Sequence, residues 1–265
     1  FYAGIPDPAV TRLTDGRFAI TYTTGAGDVR MRMFEASGVE VGGVGERLVS
    51  ALNASASQVA ALKDGGFAVV FRDATFEGGV QPGIGLRLFT SAGNTGPVIR
   101  VDNDSPALED FDPEIAVLDN GFIVVTYTIE RTVGPTDTGV LTRIFDLNGN
   151  AVSVVGFGNN IPLDDVGDKD EGQTSVAALR NGQFVATWTD TAAGDTSGTG
   201  ISGTVRELVR TQIGSGAFGE IFRLDELRDL AYGTDGNDEF RLFGLPTGGE
   251  IVDGKGGAFD VISWM

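Results

Sequence analysis

The sequence predicts an all-β chain of four repeated four-stranded antiparallel meanders, set as a small β-propeller or an open stack of blades. A short glycine- and aspartate-rich C-terminal segment follows them. Three observations carry this reading. Four hairpin-like segments line up along the chain, arginine–phenylalanine strands recur behind the first three, and 40 of 265 residues are glycine. So much glycine calls for many tight turns.

The hairpins come first in each unit. They are VTRLTDGRFAITYTT (Val10–Thr24), VAALKDGGFAVVFRD (Val59–Asp73), IAVLDNGFIVVTYTI (Ile115–Ile129) and VAALRNGQFVATWTD (Val176–Asp190), whose starts lie 49, 56 and 61 residues apart. Each pairs a short apolar strand with a longer alternating one. Asp15-Gly16, Asp64-Gly65, Asn120-Gly121 and Asn181-Gly182 suit a two-residue turn with positive φ. A phenylalanine follows each turn (Phe18, Phe67, Phe122, Phe184) and is expected to pack between neighbouring blades.

The second half of a unit is read from MRMFEASGVE, LRLFTSAGNT and TRIFDLNGNA. Arg32, Phe34 and Gly38 recur as Arg87, Phe89, Gly93 and as Arg143, Phe145, Gly149. The arginines are expected to pair with nearby acids. In the fourth unit, ISGTVRELVRTQIGSG has lost the pattern. The units span about residues 6–50, 55–102, 111–156 and 173–225, inside a repeat domain of residues 1–228. Units of roughly 50 residues and four strands match a propeller blade. Insertions such as Glu130–Gly139 are expected in surface loops.

Charge and missing residue types narrow the function. The formal charge is −18, which opposes binding to nucleic acid or to anionic membranes. No cysteine or histidine is present, which excludes thiolate or imidazole metal sites and histidine-dependent triads. No apolar run is long enough to span a membrane as a helix. A chain that opens on Phe1 is expected to be a piece of a longer protein. A carboxylate pair could still cleave a glycosidic bond, yet no motif places one, and the chain is expected to be non-catalytic.

Residues 229–265 read differently, as glycine–aspartate turns between short apolar triplets. In GTDGNDEFR, Gly233, Gly236, Asp238 and Phe240 match G-G-x-G-x-D-x-U-x, where U is a large apolar residue. In KGGAFDVIS, Gly256, Asp260 and Ile262 match. This segment resembles the repeats-in-toxin (RTX) family of secreted calcium-binding proteins, which implies calcium at Asp238 and Asp260. Those aspartates are 22 residues apart, out of register with the spacing of about 18 that two nonapeptide turns give. The meanders also resemble a repeat of very large exported bacterial proteins, near P-x-V-A-x-L-x-D-G-G-F-V-V-x-W. Ala60, Ala61, Leu62, Asp64, Gly65, Gly66, Phe67, Val69 and Val70 carry that match. It implies type I secretion and a place at the cell surface.

Two acid clusters lie between units: Asp102, Asp104, Asp110 and Asp112, then Asp164, Asp165, Asp168, Asp170 and Glu171. Each reads either as a solvated loop or as a calcium loop, and Asp165, Asp168 and Asp170 form the better calcium candidate. The expected function is a structural or adhesive module of a secreted surface or matrix protein, bound to other copies of itself or to extracellular polysaccharide. The alternative is a carbohydrate-binding propeller attached to a polysaccharide-acting secreted enzyme, with Phe76, Tyr127 and Trp188 as the candidate aromatic platforms, although Trp188 sits in an alternating strand and reads better as core.

Overall fold

The computed structural model describes residues 7–51, 53–75, 82–102, 108–130, 138–154, 159–163, 170–191, 200–212, 220–232, 239–242, 251–253 and 261–264, with side chains to residue 208. Every regular element among them is a strand. Blade 1 holds β1 (Ala9–Arg12), β2 (Phe18–Thr23), β3 (Val29–Phe34) and β4 (Arg47–Ser50). Blade 2 holds β5 (Ala54–Ala61), β6 (Phe67–Asp73), β7 (Gly83–Phe89) and β8 (Thr95–Arg100). Blade 3 holds β9 (Asp110–Val117), β10 (Ile123–Glu130), β11 (Thr138–Phe145) and β12 (Ile161–Pro162). Blade 4 holds β13 (Glu171–Ala178), β14 (Gln183–Asp190), β15 (Gly200–Gln212) and β16 (Glu220–Tyr232). Strands follow chain order across each sheet, so every blade is an antiparallel meander. In the tail, β17 (Glu239–Leu242) pairs in parallel with β19 (Val261–Trp264), and β18 (Ile251–Asp253) adds in parallel to β16.

The first turn of each blade has two solutions. In blades 1 to 3 a type I turn opens at Leu13, Leu62 or Leu118, and only Gly16, Gly65 or Gly121 takes positive φ. In blade 4 both Asn181 and Gly182 do, so only there does the expected two-residue turn form. Aligning the units on these leucines and glycines shifts one residue. The partners are Phe18 with Phe34, Phe67 with Phe89, Ile123 with Phe145, and Phe184 with Arg206. Ile123, not Phe122, therefore occupies the repeated position in blade 3. Phe122 points the other way and packs toward blade 4.

Alternation in β2, β6, β10 and β14 gives each blade two apolar faces. Three core clusters fill the gaps between successive blades. Leu13, Met31 and Met33 of blade 1 meet Phe67, Val69 and Phe71 of blade 2. Ala68, Ile84 and Leu86 of blade 2 meet Ile123, Val125 and Tyr127 of blade 3. Val124, Val140 and Ile144 of blade 3 meet Phe184, Ala186 and Trp188 of blade 4. Tyr127 and Trp188 are thus core side chains rather than exposed platforms, and Phe76 lies outside the described residues.

The repeated arginines divide by context. Arg32 pairs with Glu40 and Glu46, as expected of it. Arg87 instead donates 2.5 Å across the blade gap to the carbonyl of Val49. Arg143 is buried and donates in the same way to the carbonyl of Val101, its guanidinium 5.6 Å from the centre of the Phe145 ring. An arginine on this face therefore clasps the preceding blade wherever one is present.

Candidate functional site

The first strands β1, β5, β9 and β13 pack side by side in sequence, so they form the inner edge of the arc of blades. Blades 2, 3 and 4 each carry a bulge at the start of that strand. There two residues oppose one: Ala56 and Ser57 face Phe71, Asp112 and Pro113 face Tyr127, and Gln173 and Thr174 face Trp188. Ala56, Asp112 and Gln173 all take positive φ, at 49°, 50° and 52°. Bulges re-aim side chains, and non-glycine residues in this region mark positions held by their surroundings. Pro113 fits because a bulge needs no ladder donor there.

The three bulges and Asp7 open onto one axial mouth of about 230 Å³, lined by Asp7, Gln58, Asp112, Glu114, Gln173 and Thr174 among others. Hydroxyl pairs brace it from behind, since Ser57 donates 3.0 Å to Thr21 and the hydroxyls of Thr126 and Thr174 lie 3.0 Å apart. Gln58 donates its side-chain amide 2.9 Å to Glu114 Oε1. A wider groove of about 600 Å³ leads away over blade 4, lined by Phe111, Thr138, Asp170, Glu171 and Ile201. Asp112 and Gln173 border both spaces.

Electrostatics set the carboxyls of the mouth apart. Burial pushes the Glu114 carboxyl up to about 7, against the bond from Gln58, and the charges of Asp112 and Asp7 raise it further. The Asp112 carboxyl is raised as well, first by loss of water and then by Asp7, while Arg72 and the Gln173 backbone N–H oppose the shift. Near neutrality Glu114 is therefore poised to hold a proton beside acidic neighbours. Such a pair of carboxyls in differing environments is suited to hydrogen-bonding hydroxyl-rich ligands and to general acid–base work.

The sequence-derived calcium candidates fare differently. Asp165, Asp168, Asp238 and Asp260 lie outside the described residues. Asp170 lines the groove, and its carbonyl accepts from the Thr191 hydroxyl at 2.8 Å. The first acid cluster is not one loop. Asp102 is buried and accepts from Ile84 N–H and Arg100, Asp110 is buried, and Asp112 stands at the mouth; Asp104 lies outside the described residues. Among the described residues no group of three or more acids is placed to hold a metal ion. Sequence reasoning missed Asp7, Gln58, Glu114 and Gln173. Their one signal was the recurrence of Asp-Pro at Asp7-Pro8 and Asp112-Pro113, just before the apolar start of a unit.

No protein-family model matches the chain, and no curated protein matches its sequence. Solved structures do match in fold. An α-L-arabinofuranosidase from Fusarium graminearum, in complex with an iminosugar inhibitor, aligns with TM-score 0.53 at 9 % identity over 76 % of this chain and 62 % of its own. A family GH93 α-L-arabinofuranosidase of the same fungus, with arabinobiose, aligns with TM-score 0.50 at 10 % identity, over 82 % and 65 %. A thermostable family-43 glycoside hydrolase aligns with TM-score 0.47 at 12 % identity, over 83 % and 72 %. The chain thus spans less than two thirds of the length of the two fungal enzymes. The expectation of a non-catalytic chain is corrected here, because enzymes that cleave glycosidic bonds are among the solved structures that share this fold, so the architecture is compatible with catalysis. Missing histidine does not exclude that chemistry, which runs on carboxyls alone. Among the described residues no helix is long and apolar enough to cross a membrane. In fold the chain is an all-β assembly of β-propeller blades.

Proposed function

We propose that this chain is the carbohydrate-binding propeller of a secreted, polysaccharide-acting protein, with the glycan seated over the axial mouth and running into the groove beside it. The observation that carries this reading is the convergence of Asp7, Gln58, Asp112, Glu114 and Gln173, from four separate units, on one opening. Sugar hydroxyls both donate and accept. Carboxylates at Asp7 and Asp112 accept from them, while the Gln58 and Gln173 amides and a protonated Glu114 donate. Half-buried Phe111 offers an apolar flank to a ring lying in the groove. In a glycan-cleaving role Glu114 would donate its proton to the leaving glycosidic oxygen, with Asp112 or Asp7 as the second carboxyl.

The test is calorimetric titration of neutral oligosaccharides, including arabinan, xylan and galactan fragments, with turnover followed in the same samples. Glu114→Ala and Asp112→Ala are each expected to weaken binding by about tenfold or more, as loss of a hydrogen-bonding partner at the opening does. If no glycan of the panel binds the parent chain, or both variants bind as it does, the reading fails.

The same reading places the chain outside the cell, in an RTX-type exported protein that takes up calcium through Asp165, Asp168, Asp170, Asp238 and Asp260. Calcium titration of the full chain, followed by heat and by thermal stability, is expected to show binding that Asp165→Asn with Asp168→Asn weakens. Unchanged melting in millimolar calcium and no heat of binding would remove calcium from the proposal.

A further inference from the structure

Among the described residues the face between blades is built three times, and half of it stands open on blade 1 and half on blade 4. Counted by register, Val10, Phe18, Ile20, Tyr22, Arg32 and Phe34 of blade 1 match Val59, Phe67, Val69, Phe71, Arg87 and Phe89 of blade 2. The blade 2 set is packed against blade 1, with Phe67, Val69 and Phe71 fully buried. Among the described residues nothing covers the blade 1 set in this way. Val10 is 65 % exposed, against 9 % for Val59, and Phe18, Ile20 and Tyr22 are only half-buried.

The opposite end carries the complementary half. Leu179, Val185, Thr187, Ile201 and Val205 of blade 4 match Leu13, Ala19, Thr21, Val29 and Met33 of blade 1, the side that receives Phe67 and Phe71. Leu13 and Val29 are 2 % and 0 % exposed, whereas Leu179 and Ile201 are 38 % and 40 % exposed. Of the five large apolar side chains most open to water among the described residues, Val10, Leu48, Leu179 and Ile201 lie on these two end faces. Single exposed apolar residues need no explanation, but their concentration on two register-matched faces does.

We infer that the leading face of blade 1 binds the trailing face of blade 4 in a second copy of this chain, joining copies head to tail. The partner is specified by continuity with the internal interfaces. A second copy's Leu179, Ile201 and Val205 supply the surface that Leu13, Val29 and Met33 supply to blade 2. In that docking Arg32 leaves Glu40 and Glu46 and reaches a backbone carbonyl at the edge of the partner's blade 4, as Arg87 reaches Val49 and Arg143 reaches Val101. A contact of two different faces leaves a free face at each end, so it can extend beyond a dimer. Copies that each carry −18 repel at long range, so added salt strengthens the association.

Sedimentation velocity of the full chain, in a series reaching about 100 µM, is expected to show dimers and longer species that increase with salt. Val10→Asp spoils only the leading face and Leu179→Asp only the trailing one; both side chains already face water, so folding is kept, and Ile201→Asp serves as a second trailing-face variant. Each variant alone is expected to stay monomeric, with association weakened by about tenfold or more. An equal mixture of the leading-face and trailing-face variants retains one good pair and is expected to stop at a one-to-one dimer. A parent chain that stays monomeric throughout, variants that assemble as the parent does, or a mixture that does not pair would each overturn the inference.

Discussion

Replacing Phe67 with alanine is expected to lower the unfolding free energy by about 3–5 kcal/mol, whereas Phe18→Ala is expected to cost about 1 kcal/mol in the isolated chain. The two residues hold the same place in successive repeats, and each stacks on the phenylalanine of the next strand. Phe67 lies 4.8 Å from Phe89 with rings 2° apart, and Phe18 lies 5.2 Å from Phe34 with rings 15° apart. The difference is what covers them. Phe67 is sealed against Leu13, Met31 and Met33, so its loss removes contacts and leaves a void that the two sheets cannot close. Phe18 already meets water, and an alanine there opens no cavity. Parallel urea titrations of the two variants measure the contrast, and about 4 kcal/mol at Phe67 lowers the melting temperature by about 10 °C. Equal costs at both positions would mean that the blade 1 face is covered in solution. In that event the higher cost at Phe18 should vanish on dilution if the cover is a second copy.

The repeat frame was legible because it is periodic, and the errors arose where one residue shifts a period. Leu13, Leu62, Leu118 and Leu179 and the glycines three residues later hold a constant spacing. The phenylalanine does not: Arg17, Gly66 and Gln183 stand between glycine and phenylalanine in three units, and nothing does in the third. In a strand a one-residue slip reverses the face, so matching by ring identity put Phe122 where Ile123 belongs. The mouth was illegible for a different reason. Gln58, Glu114 and Gln173 belong to three different strands, 56 and 59 residues apart in sequence. Only the arrangement of first strands around a common axis brings them together. Acid density in the sequence instead drew attention to Asp102, whose carboxylate accepts from Ile84 N–H, and to Asp110, which is buried. The arginines show the same dependence on context, since Arg32, Arg87 and Arg143 occupy one repeat position yet find carboxylates or carbonyls according to whether a blade precedes them.

Glu114 gives the second large effect: stability is expected to fall as pH rises from about 4.5 to about 7, and Glu114→Gln to remove most of that slope. The sign follows from the raised carboxyl, pushed up to about 7 from the ordinary 4.5 of a glutamate. Below about 4.5 both the folded and the unfolded chain hold the proton, and the favourable state is fully present. Between the two values the unfolded chain gives up its proton while the folded one keeps it, so each step upward favours unfolding. Above about 7 the folded chain must carry the charge against burial, Asp112 and Asp7, at a cost of about 3 kcal/mol at most. Asp15, Glu46 and Asp146 act oppositely, since their carboxyls are lowered by hydrogen bonds to Arg17, Tyr22 and Asn150 among others. Their stabilisation is lost on acidification, below the window in which Glu114 titrates. Glutamine keeps the size of the side chain and a group that can accept from Gln58, but it cannot ionise. Urea midpoints measured at half-unit steps from about pH 5 to pH 8 should therefore descend for the parent chain and run nearly level for the variant. Parallel descents in the two proteins would place the titrating group elsewhere, and with it the proton that the axial mouth is proposed to offer a glycan.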